Sequence, residues 1–237
     1  MRVVVTRPQA DGERTAATLE ARGHEVLHAP LMIVEPIPAE LSGNWSAIIV
    51  TSGNAPAAIA NNPKCGALLK LPVFAVGQRS AEAARAAGFG NVTSANGDAR
   101  DLLRLVAERN AGDKAPLLYL AGEDGAADLA GDLAARGIVV DVRAVYRVVT
   151  APFPLELIAA LEAEDIEGVL HFSRRSAESY LAGARSASVL EPALDVRHFC
   201  LSEQVAEPLH AAHASQVAVA PKPDEAALLA LLPPPQA

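Results

Sequence analysis

The sequence predicts an α/β protein with two similar parallel-sheet domains, and three observations lead there. Apolar runs of strand length alternate with helical patterns along the chain. Those runs are apolar throughout, as strands covered by helices on both faces must be. Three pieces of sequence also recur in the same order in both halves. The first, from Arg2-Val3-Val4-Val5-Thr6-Arg7-Pro8 to Arg22-Gly23, returns as Leu117-Leu118-Tyr119-Leu120-Ala121-Gly122 through Arg136-Gly137. Ile48 to Asn54 answers to Val169 to Arg175, and Val73 to Glu82 answers to His198 to Glu207. Repeats this long and this few mark paired domains rather than a solenoid, which needs at least three stacked units.

Residues 2–6 form a β-branched strand, and residues 10–22 form a helix that Gly23 stops. A second short strand occupies 25–28. Further strands are expected near 46–50, 72–76, 117–120, 138–143, 167–172 and 197–201, most of them followed by helices. In the helix near 125–136, Ala126, Leu129, Ala130 and Leu133 share one face, and Gly137 caps the end. Two segments in equivalent places, Leu31 to Pro38 and Val145 to Pro152, are β-branched, extended and proline-terminated, as connectors between domains are. They suit a chain that leaves one domain and later returns. The polar stretch Arg109-Asn110-Ala111-Gly112-Asp113-Lys114 suits a tandem cut instead, and the residues by themselves leave both arrangements open. The tail Pro233 to Ala237 reads as loose.

With 51% hydrophobic and 20% charged residues among 237, the chain has apolar material for one large core or two ordinary ones. Its apolar runs fall short of the roughly 18–20 residues that cross a bilayer. Arg7, Asp11, Glu13 and Arg14 follow the first of them at once, unlike a signal peptide. Two cysteines, Cys65 and Cys200, fit a reducing compartment, so the cytoplasm is the expected location and no membrane partner is expected. A net charge of −8 without a Lys/Arg cluster argues against a general nucleic-acid binder.

Ligands of open parallel sheets bind beyond the carboxyl ends of the strands. The turns there are Thr6-Arg7-Pro8, Thr51-Ser52-Gly53-Asn54, Gly77-Gln78-Arg79-Ser80, Ala121-Gly122-Glu123, Ser173-Arg174-Arg175 and Ser202-Glu203-Gln204. They share small hydroxyls, glycine or an amide side chain, the residue types that cap helices. At equivalent positions on two facing domains they are expected also to aim free backbone N–H groups and positive helix ends into one cleft. Such a cleft takes a large polyanion with few cationic side chains, which reconciles an acidic protein with an acidic ligand.

Other chemistries lack their signatures. No glycine-rich dinucleotide or Walker-type phosphate loop is present. His210 and His213 lie three apart on a predicted helix without a third ligand at a telling distance, so no metal is expected. His171, inside an apolar strand, reads as a hydrogen-bonded core residue rather than a base. No serine sits in a nucleophile elbow and neither cysteine has a nearby base, so covalent catalysis has no visible nucleophile. No cofactor is expected.

The opening VVVTRP and the IIVTSGNA, VGQRSAEAARAAG, RGIVVDVRAVYRVV and FSRRSA segments stand in the order and spacing of uroporphyrinogen-III synthases, a family the chain resembles over nearly its whole length. The resemblance implies two flavodoxin-like α/β domains joined by two extended β connectors, with an active-site cleft between them. One domain would hold about residues 1–32 and 152–237 and the other about 36–145, with connectors at about 31–38 and 145–152. It further implies a cofactor-free monomer that closes hydroxymethylbilane, a linear tetrapyrrole with eight carboxylates, to uroporphyrinogen III. In the family's scheme the terminal hydroxyl leaves as water to give an azafulvene. That species closes to a spiro intermediate, fragments and recloses with the last ring, ring D, inverted. Unassisted, the same molecule closes to the uninverted isomer, so the protein's task is to fold the substrate and steer it.

Carried over residue by residue, the family's hydroxyl motif falls on Thr51 and Ser52, its second-domain counterpart on Ser173, and its glycine turn on Gly77 and Ser80. The connector tyrosine falls on Tyr146, as proton donor to the departing hydroxyl, a role a phenol can fill as general acid. A tyrosine packed against the hinge with its hydroxyl on backbone is the plainer reading. Arg7, Arg174 and Arg175 are expected to grip carboxylates bidentately. Thr6, Gly53, Asn54, Gln78, Gly122 and Ser202 complete the expected substrate contacts. Where many relatives carry an Ile-Gly-x-x-Thr turn, this chain has Leu201 to Val205 and lacks the last hydroxyl, and a frequent arginine is Ala126 here. The alternative function is a non-catalytic two-domain sensor of a small molecule.

Overall fold

A computed structural model describes residues 1–109, 115–124 and 127–234. The candidate tandem linker beyond Arg109, Ala126 and the last residues of the tail, Pro235 to Ala237, lie outside the described residues. The chain divides into two compact units, Met1–Ile33 with Val149–Ala237, and Val34–Val148.

It runs through β1 (Arg2–Val5), α1 (Gln9–Glu20), β2 (Glu25–His28), β3 (Met32–Pro36), β4 (Ile48–Val50), α2 (Asn54–Ile59), α3 (Cys65–Leu68), β5 (Val73–Ala75), α4 (Gln78–Ala86), β6 (Val92–Ser94) and α5 (Ala99–Arg109). It continues through β7 (Leu117–Gly122), α6 (Ala127–Ala134), β8 (Val140–Thr150), α7 (Leu155–Glu162), β9 (Gly168–His171), α8 (Arg174–Ser186), α9 (Leu190–Asp195), β10 (Arg197–Cys200), α10 (Glu203–Ala211), β11 (Gln216–Val219) and α11 (Glu225–Leu229). Gly23 and Gly137 end α1 and α6 with φ of 81° and 76°, the left-handed turn that the sequence predicts of them.

Among the described residues, the first unit holds a parallel five-stranded sheet in the order β11-β10-β9-β1-β2. The second holds a six-stranded sheet, β3-β8-β7-β4-β5-β6, parallel from β8 to β6. Counted from β7, the strands β8-β7-β4-β5-β6 repeat the order β2-β1-β9-β10-β11. Both are the 2-1-3-4-5 order of flavodoxin-like sheets, and the second is circularly permuted. The recurring pieces of sequence therefore land on equivalent strands: β1 with β7, β9 with β4, β10 with β5.

Each sheet buries both faces, which is why its strands are apolar without alternation. In the second unit Ile48, Val50, Leu118 and Leu120 enter one cluster with Trp45 and Ala81. Ile49, Leu117, Tyr119 and Ala121 enter the other, against Leu102 and Val106 of α5 and Leu133 of α6. In the first unit Val4 and Val169 meet Tyr180 on one side, and Val3, Val5 and Leu170 meet Leu228 on the other. Each such Val, Leu or Ile side chain contributes about 1.5–3 kcal/mol by leaving water.

Three features depart from expectation. Residues 138–143 and the connector from Val145 belong largely to one strand, β8, which spans 11 residues and absorbs a register shift opposite Ala121 and Gly122. The other connector, β3, runs antiparallel to β8: Ile37 N–H donates to Val145 O at 2.9 Å and Ala151 N–H to Leu31 O at 2.9 Å. The strands β6 and β11, unanticipated, are too short to show a period of their own, and pairing with β5 and β10 is what orders them.

Candidate active site

In the second unit the strand order reverses between β7 and β4, the switch point where such sheets leave a crevice. Thr51 stands there, half-buried at the end of β4, with its Oγ1 2.9 Å from the Tyr119 hydroxyl of β7. The Ser52 hydroxyl accepts the Asn54 N–H at 3.2 Å and so shapes the turn into α2. A Cβ on Gly53 would come within 3.1 Å of the Ala83 Cβ, so this glycine lets α2 and α4 approach. Gly77 caps α4 without a side-chain acceptor. The Gln78 amide donates to the Asn96 side chain. Ser80 departs from expectation: it is 5% exposed on the core face of α4, because the helical period turns it inward beside Ala81 and Ala84.

Gly122 and Tyr146 meet at the register shift. A Cβ on Gly122 would fall 2.8 Å from Tyr146 Cζ and 3.0 Å from its hydroxyl, so the phenol lies across the glycine. The Tyr146 carbonyl accepts the Glu123 N–H at 2.9 Å, which fixes the strand beneath the ring.

In the first unit the corresponding turns are more fully committed to structure. Thr6 is completely buried and its hydroxyl donates to the Leu170 carbonyl at 3.0 Å, tying β1 to β9; the substrate contact expected of it gives way to that bond. The guanidinium of Arg7 bonds Glu225 at 3.0 Å, Asp11 at 3.1 Å and Thr15 at 3.1 Å, and lies 4.3 Å over the Phe172 ring. Its side chain is 12% exposed, so Arg7 clamps α1 to α11 rather than offering a free grip. Arg174 pairs with Glu178 and Glu207, carboxylates that hold its guanidinium more firmly charged, while Arg175 is exposed beside it. Ser173 caps α8 in a reciprocal box with Ser176. Ser202 heads α10 without a side-chain cap bond, and Val205 packs into the core at 5% exposure.

Tyr119 and Glu225 are the partners that sequence reasoning missed. A lone phenol in the run Leu117 to Ala121 was the available signal for the first, since a buried phenol requires a hydrogen-bond partner. Glu225 carried no local signal.

The remaining reactive groups are enclosed. His171 is fully buried with Nε2 3.1 Å from His198 Nδ1; burial depresses both, His198 to about 4, so the pair stays neutral in the core. Burial pushes the Cys200 thiol up to about 12 and the Cys65 thiol upward, and neither is poised as a nucleophile. Among the described residues no group of three or more His, Cys, Asp and Glu side chains is placed to hold a metal ion, and no helix is long and apolar enough to cross a membrane. A cavity of about 570 Å³ lies at the amino ends of β9 and β10. Its Glu162, Glu164, Glu167, Glu191 and Asp195 repel a polyanion.

Fold and turns together define a duplicated, permuted α/β protein of the flavodoxin-like class, with hydroxyl and amide groups at its strand ends. Within that class the chain belongs to the uroporphyrinogen-III synthase family, whose model, described as uroporphyrinogen-III synthase HemD, matches residues 13–230. Solved structures agree in fold. Uroporphyrinogen-III synthetase from Helicobacter pylori is 21% identical, with 98% of each chain covered and a TM-score of 0.67. A mutant uroporphyrinogen III synthase from Thermus thermophilus is 19% identical, covering 97% of this chain and 96% of its own, with a TM-score of 0.50. No curated protein matches the chain.

Proposed function

We propose that this chain converts hydroxymethylbilane to uroporphyrinogen III as a cyclising hydro-lyase, expelling the terminal hydroxyl as water and inverting ring D. The family match over residues 13–230 carries the reading. The strand-end turns support it: backbone amides at the starts of α4 and α10, left without side-chain caps, suit the carboxylates of an octa-acid better than cationic side chains already paired to Glu225, Glu178 and Glu207.

In this reading Tyr146 donates a proton as the substrate hydroxyl departs, and Thr51, Ser52, Gly53, Asn54, Gly77 and Gln78 hold carboxylates and pyrrole edges from the second unit. Taken on the first unit by itself, Ser173, Arg174, Arg175 and Ser202 are proposed as carboxylate contacts, with Thr6 and Arg7 bracing the turn behind them. The work is positioning: the azafulvene, once formed, closes unaided, and the loops select which carbon of the last ring it meets. The same reading takes the chain as a cytoplasmic monomer, its two buried free thiols kept reduced. Nothing in the fold or the family match favours a non-catalytic sensor.

Supplying hydroxymethylbilane and resolving the oxidised porphyrin isomers tests the reading. The type III isomer is expected at a rate proportional to protein; the type I isomer alone, as in buffer, refutes it.

A further inference from the structure

Resting on that reading, we infer that Tyr119 is a positioning residue for substrate binding: its buried hydroxyl donates to Thr51 Oγ1 and so turns the Thr51 O–H outward, as a donor to a substrate carboxylate.

Tyr119 sits on β7 at 3% exposure among Leu102, Leu129 and Phe74. Among the described residues its hydroxyl has one hydrogen-bond partner, Thr51 Oγ1 at 2.9 Å. A phenol carries one proton and a threonine hydroxyl another. Were Thr51 the donor, the phenolic proton would be buried without an acceptor, at a cost of about 1–3 kcal/mol. The phenol is therefore the donor, and it stays protonated: burial raises its pKa, with the nearby Tyr146 adding to the shift and the Thr51 bond offsetting it only in part. Thr51, half-buried at the switch point between β7 and β4, is left with a proton and no protein acceptor among the described residues. The switch point of the first unit, between β1 and β9, shows the contrast. There Thr6 is completely buried and gives its proton to the Leu170 carbonyl. One hydroxyl closes the sheet, and the other is held ready for an anion.

The test is a double-mutant cycle on the full chain, with KM and kcat for hydroxymethylbilane read from type III product and Tm measured alongside. Tyr119→Phe, which keeps the ring, is expected to raise KM about five- to tenfold with kcat within about twofold, the size of one such hydrogen bond. Thr51→Val is expected to do the same, the double variant to be no worse than either single one, and Thr51→Ser to retain the parent KM. An unchanged KM in Tyr119→Phe, effects that multiply in the double variant, or a fall in kcat alone overturns the inference. The Thr51 pair reads the same contact without altering β7: equal KM in the Val and Ser variants overturns it whatever the stability of Tyr119→Phe. A parent protein that forms no type III isomer sinks the proposed function instead, so the two failures are distinct.

Discussion

The Tyr146 phenol lies across Gly122, occupying the volume a side chain there would need, at 2.8 Å from ring Cζ to the position of a Cβ. The backbone of Gly122 is not in the left-handed region, so alanine is conformationally acceptable and the nearest conflict is with the Tyr146 phenol. Gly122→Ala is expected to move the phenol while sparing the sheet: turnover falls about tenfold or more, because small misplacements of a reacting group are costly. Tm is expected to shift by no more than about 4 °C. Parent-like turnover in a folded Gly122→Ala protein would show that the ring's place is immaterial.

Tyr146→Phe keeps the apolar ring that packs on the second unit's core and removes the proton. The expected outcome is a fall in kcat of about 10²-fold, within the range of lost general acid catalysis, with little change in KM or Tm. Steady-state kinetics decide it, and an unaltered kcat takes Tyr146 out of the mechanism.

Arg7 joins α1 to α11 through Asp11, Thr15 and Glu225 while stacking on Phe172. Arg7→Ala is expected to cost on the order of 2 kcal/mol of stability, chiefly by leaving the Glu225 carboxylate with the Thr15 hydroxyl but no cation. Arg7→Lys recovers little, since a point charge cannot meet both carboxylates and the ring at once. Urea titrations measure this. Activity per folded molecule is expected to hold, and its selective loss would return Arg7 to the substrate.

The buried histidines set an acid limit. In the folded chain His171 is held well below its usual value and His198 at about 4, whereas in the unfolded chain both protonate near pH 6.5. Below that pH the unfolded state binds more protons, so stability falls as pH drops from 6.5 towards 4. His198 alone contributes a loss of about 2 kcal/mol between pH 7 and 5. His24, also lowered by burial, adds in the same direction. Chemical denaturation at the two pH values should show the drop, and His198→Gln should reduce it; a pH-independent stability across that window contradicts the account.

Ser173 and Ser202 both head helices of the first unit but differ in work. Ser173→Ala breaks a reciprocal cap and is expected to cost about 1 kcal/mol, whereas Ser202→Ala, which removes no cap bond, should change stability by a few tenths. Comparing their denaturation midpoints checks the contrast, and equal losses would contradict it.

Much of the fold was legible because burial leaves a local trace. Val3 to Val5, Ile48 to Val50 and Leu117 to Ala121 are buried on both faces and hence apolar without a break. Gly23 and Gly137 mark helix ends by the backbone angles they adopt. The edge strands β6 and β11 left no such trace, for three or four half-buried residues carry no period. At the strand ends, residue type shows where the turns fall but not which way Ser80 faces, because its helical phase decides that.

By itself, then, the sequence determined the α/β class, the alternation of strand and helix, and the correspondence of three strands in each sheet, since apolar runs and repeated pieces are properties of neighbouring residues. Tertiary structure decided what the polar groups at the strand ends are free to do. Thr6 finds a carbonyl 164 residues away, Arg7 a carboxylate 218 away and Thr51 a phenol 68 away. Such partners are chosen by strand order rather than by local pattern, and only when they are in place is it settled which hydroxyl or guanidinium is used up and which remains to meet a ligand.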